Sequence, residues 1–500
     1  MCGCHRLHGP ADFQHRGGVT LTLTCFSGSG FNAVNRHRFP NATVLCAGIG
    51  VGLTLTGCVL SPEGIRDEQA KIDMVSKSYA TPLPSREVPT LPAQASWRDV
   101  LSRALLVNGE LEAAYYEWKA ALTRIDQAAI WPNSNVAVSF SYMFSPENVK
   151  AWNRTTLGVG FDPAMNLTLP VKARIGGKVA LEAAREAGER FRAVKFDLQR
   201  KVLSAYFELA LTEELVRIEQ DNLSLLRLLV DSAATRAQAG GPLQDLLKAQ
   251  IESRTTESNL AQTRAKAASM RSMLNAMLGR ATDAELTLPP TLPAPRRVDA
   301  DDARLIAVAV TQNPELAALA HQVAGRQDAL ELARLAYLPD FGPSASITGS
   351  VSQSIGSMLM LPTKAPAIRA AIDEAQALRA ASEAMLRQTR QDRAASFVAN
   401  LYLMRNAERQ SELYRQRIIP STQALVSSSR SAYAAGSVGF ADLVDSERML
   451  LSMRRMLAEV QMEREERLVD MEALAGTDIE TLVPAAGAET GAALASRGGP

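Results

Sequence analysis

The sequence predicts a mainly helical chain with a membrane β-barrel portion, made of long coiled-coil helices and four strands in two similar halves. Three observations lead there. The pattern Leu-x-Leu-Pro-x-Lys occurs twice, as LTLPVK from Leu167 and LMLPTK from Leu359, 192 positions apart and each time ahead of an alanine-rich tract. Between Lys172 and Gln238 there are 67 residues without a proline, which as one helix would measure ~100 Å at 1.5 Å per residue. Short segments such as NVAVSFSYMF alternate with a period of two, as strands do.

Composition excludes several functions before any motif is read. The chain has 500 residues, 54 Lys+Arg against 53 Asp+Glu, and 5% aromatics. Balanced charge gives no reason to expect nucleic acid as a partner. All five cysteines (Cys2, Cys4, Cys25, Cys46, Cys58) lie in the first 58 residues, and after His5, His8, His15 and His37 only His321 remains. A triad or a zinc centre needs convergent His or Cys groups, so neither enzyme activity, nor a metal, nor a cofactor is expected. An envelope enzyme working on carboxylates alone stays possible in principle, but no such constellation is found.

Residues 1–57 read as a signal peptide. Arg36 and Arg38 precede Ala42–Gly57, a run of 16 residues without charge, shorter than the ~20 that span a bilayer. The run ends in Leu55-Thr56-Gly57-Cys58, which resembles a bacterial lipobox with Cys58 as the lipidated residue. Residues 1–33 do not look like a signal n-region, which points to a start further along, at Val34 through a GTG codon. Residues 58–94 are then a lipidated linker, and Val59 is not the aspartate that commonly retains lipoproteins at the inner membrane.

The halves, 95–279 and 303–480, are joined by the proline-rich linker 280–302 and followed by a disordered tail, 481–500. Pro170 and Pro362 differ by 192, Tyr206 and Tyr402 by 196, Gly240 and Gly436 by 196, and Gly279 and Gly476 by 197. Most of this drift is a four-residue difference assigned to the helical tract, about one turn. Asn108-Gly-Glu-Leu is echoed by Asn313-Pro-Glu-Leu.

Each half reads as helix, β segment, very long helix, tight break and returning helix. Val136, Val138, Phe140, Tyr142 and Phe144 share one face of the first strand, opposite Ala137, Ser139, Ser141 and Met143; Leu157, Val159 and Phe161 oppose Gly158 and Gly160 in the second. Apolar-out, small-or-polar-in alternation suits a membrane barrel wall, although soluble hairpins read the same way in isolation. The pair in PSASITGSVSQSIGSMLMLP is expected to be weaker and shorter.

Pro170 and Pro362 mark strand-to-helix junctions, and Lys172 and Lys364 are expected to snorkel toward headgroups. Leu198, Val202, Ala205 and Leu209, then Leu215, Ile218, Asn222, Leu225 and Leu229, form the buried stripe. Gly240 and Gly436 make the tip turns. The returning helices are Leu243–Leu278 and Phe440–Ala475, and Pro420 should kink the second long helix. Four strands leave open edges that lipid does not tolerate, so the chain must oligomerise.

Together, the lipobox, the duplicated strand-Pro-helix layout, Tyr433-x-x-Gly436 and Asp442-Leu-Val-Asp445 resemble the outer membrane factor family typified by TolC, over roughly residues 95–480. The resemblance implies a homotrimer with a 12-stranded barrel in the bacterial outer membrane and a helical tunnel through the periplasm. A periplasmic adaptor, an inner-membrane pump and outer-membrane lipid would be its partners. It implies the channel of a tripartite efflux or type I secretion system, exporting small molecules or ions. A lipoprotein coiled-coil scaffold without a pore is the alternative.

The resemblance also implies that Asp442 and Asp445 ring the periplasmic entrance and that Tyr433 helps hold it shut. Where some members carry a basic gate residue, this chain has Val438-Gly439. Read alone, Asp442 is equally a carboxylate at a helix N-terminus, Asp445 a partner of Arg448, and Asp245 a cap at the first tip. Glu463 and Glu465 are taken as a surface-facing pair. Met143, Met165, Met358 and Met360 offer thioethers to Cu(I), but apolar packing accounts for them more simply.

Overall fold

The structure, a computed structural model, describes residues 58–133, 135–144, 149–161 and 167–482. The signal segment, Met165 and the tail beyond residue 482 lie outside them. The chain opens with β1 (Cys58–Val59) and α1 (Ile65–Tyr79), a strap along the first half. Next come α2 (Trp97–Val107), α3 (Gly109–Ala129), β2 (Ile130–Trp131), β3 (Val136–Tyr142), β4 (Thr155–Phe161), α4 (Pro170–Gln238) and α5 (Leu243–Met277). The same order recurs as α6 (Asp302–Gln312), α7 (Pro314–Arg334), β5 (Asp340–Thr348), β6 (Ser352–Met360), α8 (Ala365–Leu413), a π-turn (Tyr414–Ile418), α9 (Ile419–Ala434) and α10 (Phe440–Ala475). Among the described residues no helix is long and apolar enough to cross a membrane.

Local chemistry repeats with the order. Both α2 and α6 have 11 residues, and both α3 and α7 have 21. Asn108 and Asn313 cap α3 and α7, each side chain accepting the N–H three residues on, from Leu111 at 3.0 Å and Leu316 at 2.8 Å. The cap satisfies a donor that a helix start leaves orphaned. At the tips, Gly240 (φ 91°) and Gly436 (φ 74°) take the left-handed conformation, which turns the chain without a Cβ penalty.

One antiparallel sheet, ordered β3-β4-β5-β6, joins the halves through β4 and β5. Its register sorts the side chains by face. Ser139, Gly158, Ser346 and Ser354 form one row across the four strands, and Ser141, Thr156, Thr348 and Ser352 another. A Cβ on Gly158 would come within 2.5 Å of Ser139 Oγ, so this face has room only for small groups. The opposite face carries the rows Val138, Val159, Ala345, Ile355 and Phe140, Leu157, Ile347, Gln353. Phe140 is 69% and Ile355 94% exposed. β5 and β6 have nine residues each against seven in β3 and β4, so the second pair is the longer one, contrary to expectation: serine-rich strands pair through their backbones whatever their hydropathy.

The helices revise the alignment of the halves. Pro170 starts its helix, as Pro at the first position can, whereas Pro362 precedes Ala365 by three residues and Pro366 takes its place in the first turn. Below that, the buried residues Val202, Tyr206, Leu209 and Thr212 match Phe397, Leu401, Met404 and Ala407 at a constant offset of 195. Tyr402 is exposed and is not the counterpart of the buried Tyr206. The offset becomes 196 only at Gly240 and Gly436. The extra residue is absorbed by the π-turn, whose wider hydrogen-bonded ring accommodates one insertion. Pro420 is the second residue of α9, after Ile419, and the helix continues through it.

In the lower part of α4 the buried line runs through Ile218, Leu223, Leu226 and Ala233, while Leu225 and Leu229 are only half-buried.

Two apolar cores lie at mid-height. One joins α1–α4 to the end of α5 through Tyr115, Trp118, Leu203, Tyr206, Phe207 and Leu274; the other joins α6, α8 and α10 through Leu305, Phe397, Met404 and Leu468. The linker between the halves is fixed by Arg296, which reaches Glu465 (3.0 Å) and Glu472 (2.9 Å) on α10, all three side chains at most 4% exposed. Glu465 is therefore not at the surface, unlike Glu463. Burial pushes the Glu472 carboxyl above the usual range, with Arg296 opposing it. Removing one partner of such a pair generally costs on the order of 3–5 kcal/mol, because a charge is left buried.

Candidate functional site

Two ends of the rod carry the residues singled out by the sequence. At the tip, Ala233 of α4, Ala249 of α5, Tyr433 of α9 and Phe440, Leu443 and Val444 of α10 close a small apolar cluster that binds the two hairpins together. Tyr433 is 6% exposed, and its ring meets Phe440 edge-on at 5.9 Å. The Arg236 guanidinium lies over the same ring, 4.1 Å from its centroid, and donates to the carbonyl oxygens of Tyr433 (2.8 Å) and Ala434 (3.4 Å). A cation placed on terminal helix carbonyls is favoured by the helix dipole.

Asp442 and Asp445 are both exposed. Asp442 accepts the Gly439 N–H at 3.2 Å, a cap on α10. Asp245 stands at the matching position of α5 but makes no such bond, because Pro242 offers no N–H; the capping reading of Asp245 is corrected accordingly. Asp445 approaches Arg448 at 3.5 Å, but Arg448 turns mainly to Glu252 of the first hairpin, with contacts of 2.5 and 3.0 Å. Sequence reasoning missed Arg236 and Glu252 as tip residues. Arg236 had one visible signal, a cation in the last turn before Gly-Gly-Pro.

At the other end, β1 pairs with β2 so that Cys58 faces Trp131. Trp131 donates its indole N–H to the Thr168 carbonyl at 2.9 Å, two residues before α4 begins. Cys58 is exposed and so stands beside the strand-to-helix junction. Lys172 does not snorkel: it pairs with Asp340 at 2.8 Å and donates to the Leu338 carbonyl, tying the two halves together below the sheet. Lys364 is exposed at the start of α8. Met358 and Met360 lie in β6 and Met143 just past β3. Among the described residues no three His, Cys, Asp or Glu groups converge as a metal site.

Comparisons agree with this geometry. A family model described as outer membrane efflux protein matches residues 305–477. No curated protein matches the chain. Among solved structures, the chain resembles CusC (TM-score 0.64, 19% identity, 79% of this chain and 99% of that one). It also resembles the outer membrane protein VceC from Vibrio cholerae (TM-score 0.63, 17% identity, 76% and 96%) and the MtrE outer membrane channel of Neisseria gonorrhoeae in its open state (TM-score 0.59, 18% identity, 80% and 98%). Residues 305–477 thus match the outer membrane efflux protein family model, and the chain has the fold of these outer membrane channels.

Proposed function

We propose that the protein is the outer-membrane channel of a tripartite efflux or type I secretion system, working as a lipid-anchored homotrimer with a periplasmic adaptor and an inner-membrane pump. The observation that carries this reading is the sheet. One face is exposed and mainly apolar, the other is lined mainly by Ser, Thr and Gly, and among the described residues both edges, β3 and β6, are unpaired within one chain. In lipid such edges must be closed, and three copies give a twelve-stranded wall with a polar interior. The helices extend that lumen for ~100 Å. Cys58 beside the strand-to-helix junction stands where a diacylglyceryl group would enter the inner leaflet of the outer membrane. Metabolic labelling with a fatty acid marks the wild type and not Cys58→Ser; equal labelling of both refutes the anchor.

The tip is the proposed gate. Three copies of Asp442 and Asp445 put six carboxylates around a narrow mouth, which attracts cations. Replacing both with Ala weakens cation preference and block by multivalent cations from the periplasmic side in planar-bilayer recordings. Half-buried Glu463, on α10 well away from the tip and 3.6 Å from Arg467, replaced by Ala serves as the comparison and changes neither, because charges remote from the mouth are screened within ~8–10 Å. Unchanged selectivity in the double variant would leave Asp442 a helix cap and Asp445 an exposed ion-pair partner.

A further inference from the structure

The two halves meet at a seam just below the sheet, and the chain carries the parts of that seam twice. Leu167 and Phe341 exchange both backbone hydrogen bonds, at 3.0 and 3.1 Å, where the first half passes into α4 and the second enters β5. Lys172, five residues after Leu167, then donates to the Leu338 carbonyl at 2.9 Å and to the Asp340 carboxylate at 2.8 Å. One side of the seam is thus the end of a strand pair, and the other is the start of one.

Both sides recur. The segment Leu359-Met-Leu-Pro-Thr-Lys364, which ends the second strand pair, repeats Leu167-Thr-Leu-Pro-Val-Lys172. The start of the first pair follows from the capping asparagines: Asn108 and Asn313 stand 205 residues apart, and that offset holds to the ends of α3 and α7 at Ala129 and Arg334. It carries Asn133, Asn135 and Val136 onto Leu338, Asp340 and Phe341. Among the described residues the Lys364 ammonium has no hydrogen bond or ion pair. The second set of parts therefore lies at β6 and β3, opposite edges of one sheet. Three strand spacings, ~14 Å, separate them, so only another copy can bring them together.

We propose that the seam between copies repeats the seam between halves: Leu359 of each copy pairs with Val136 of the next, and Lys364 ties to the Asn133 carbonyl and the Asn135 side chain of that copy. Two further features agree with this register. Leu359 and Val136 both belong to the mainly apolar face, and a slip of one residue would turn one of them to the serine face. The register also sets Gly356 against Ser139 of the next copy. Within the chain Gly160 faces Ser344 in the same way, and a Cβ there would come within 3.0 Å of the Ser344 Cβ. Lys364 precedes its helix whereas Lys172 lies in the first turn, a difference that a flexible four-carbon stem absorbs. The two seams differ in chemistry. An ammonium meets a carboxylate within the chain and a neutral amide between copies, and the charge-assisted bond to the carboxylate is the stronger.

The proposal rests on the assembly proposed above, and the tests separate the two. In the Ala137→Cys, Met358→Cys variant the two thiols fall next to the Leu359–Val136 pair on one face, and Cys58 is the only other cysteine beyond the signal segment. Mild oxidation of the detergent-extracted full-length protein should give a covalent trimer on a denaturing gel. The Val138→Cys, Met358→Cys variant, with its thiols on opposite faces, should stay monomeric on the same gel. A cross-link in the second variant, or in neither, overturns the register. If the native mass still shows three copies, the assembly stands without this seam; a native monomer overturns both. For Lys364, Asn135→Asp converts the seam between copies to the chemistry of the seam within the chain. It should raise the dissociation temperature of the trimer by a few °C, on the order expected for added ion pairs, and should not do so in a Lys364→Ala background. No rise, or an equal rise in both backgrounds, overturns the Lys364 contact and leaves that ammonium to lipid headgroups.

Discussion

Asn108 and Asn313 make the same cap in different surroundings, and the difference sets what each is worth. Asn108 is half-buried and accepts one N–H. Asn313 is 3% exposed, and its amide also donates to the Leu474 carbonyl at 2.6 Å, across to α10. Replacing Asn108 with Ala should cost about 1 kcal/mol, the ordinary loss of a cap. Asn313→Ala should cost more, about 2 kcal/mol, because the part-buried Leu474 carbonyl is also left without its donor. Denaturation of the two variants under one set of detergent conditions measures the ranking, and equal losses would contradict it. The repeated asparagine was visible in the sequence because its cap is local. The partner of Arg236 was not, since Tyr433 stands 197 residues away and only the folded tips bring them together. Glu465 was misread for a related reason: its helix is charged on several sides, and the cation that makes its burial tolerable comes from the linker.

The N-terminal strap is held to the first half by the end of α1. Tyr79 is buried, stacks on Tyr115 at 5.3 Å and donates its hydroxyl to the Leu105 carbonyl at 2.8 Å. Its pKa is pushed up to about 12, first by burial, with Arg86 opposing and Glu112 adding to the rise. The folded phenol therefore holds its proton between pH 10 and 12 while the unfolded one loses it. Stability from this group is fully present below pH 10 and falls as pH rises through about 12. Two pH units correspond to roughly 2–3 kcal/mol. The thermal midpoint should drop between pH 10 and 12 in the wild type and drop less in Tyr79→Phe; identical pH profiles would show that the phenol does not hold the strap.

At this scale the sequence was most informative where periodicity was long. The long helices, their glycine turns and the returning helices follow from prolines, glycines and apolar spacing. The exact match of the halves did not, because a one-residue π-turn moves no sequence landmark. Only the burial of Leu401 in place of Tyr402 reveals it.

For the whole molecule, the proposed assembly rests on the sheet. Four strands with one mainly apolar face and one mainly Ser/Gly/Thr face are half of an argument that a second and third copy would complete. Its amphipathicity was legible in β3 and β4 and underrated in β5 and β6, whose serines carry little hydropathy signal. The tie between halves made by Lys172 and Asp340, 168 residues apart, could be seen only after folding. Three-fold closure is the central claim, and the most direct test is the mass of the intact detergent-extracted complex under native conditions. The account predicts three copies of the chain with no stable smaller species; a stable, folded monomer would contradict it, because one chain cannot close its own strand edges in lipid.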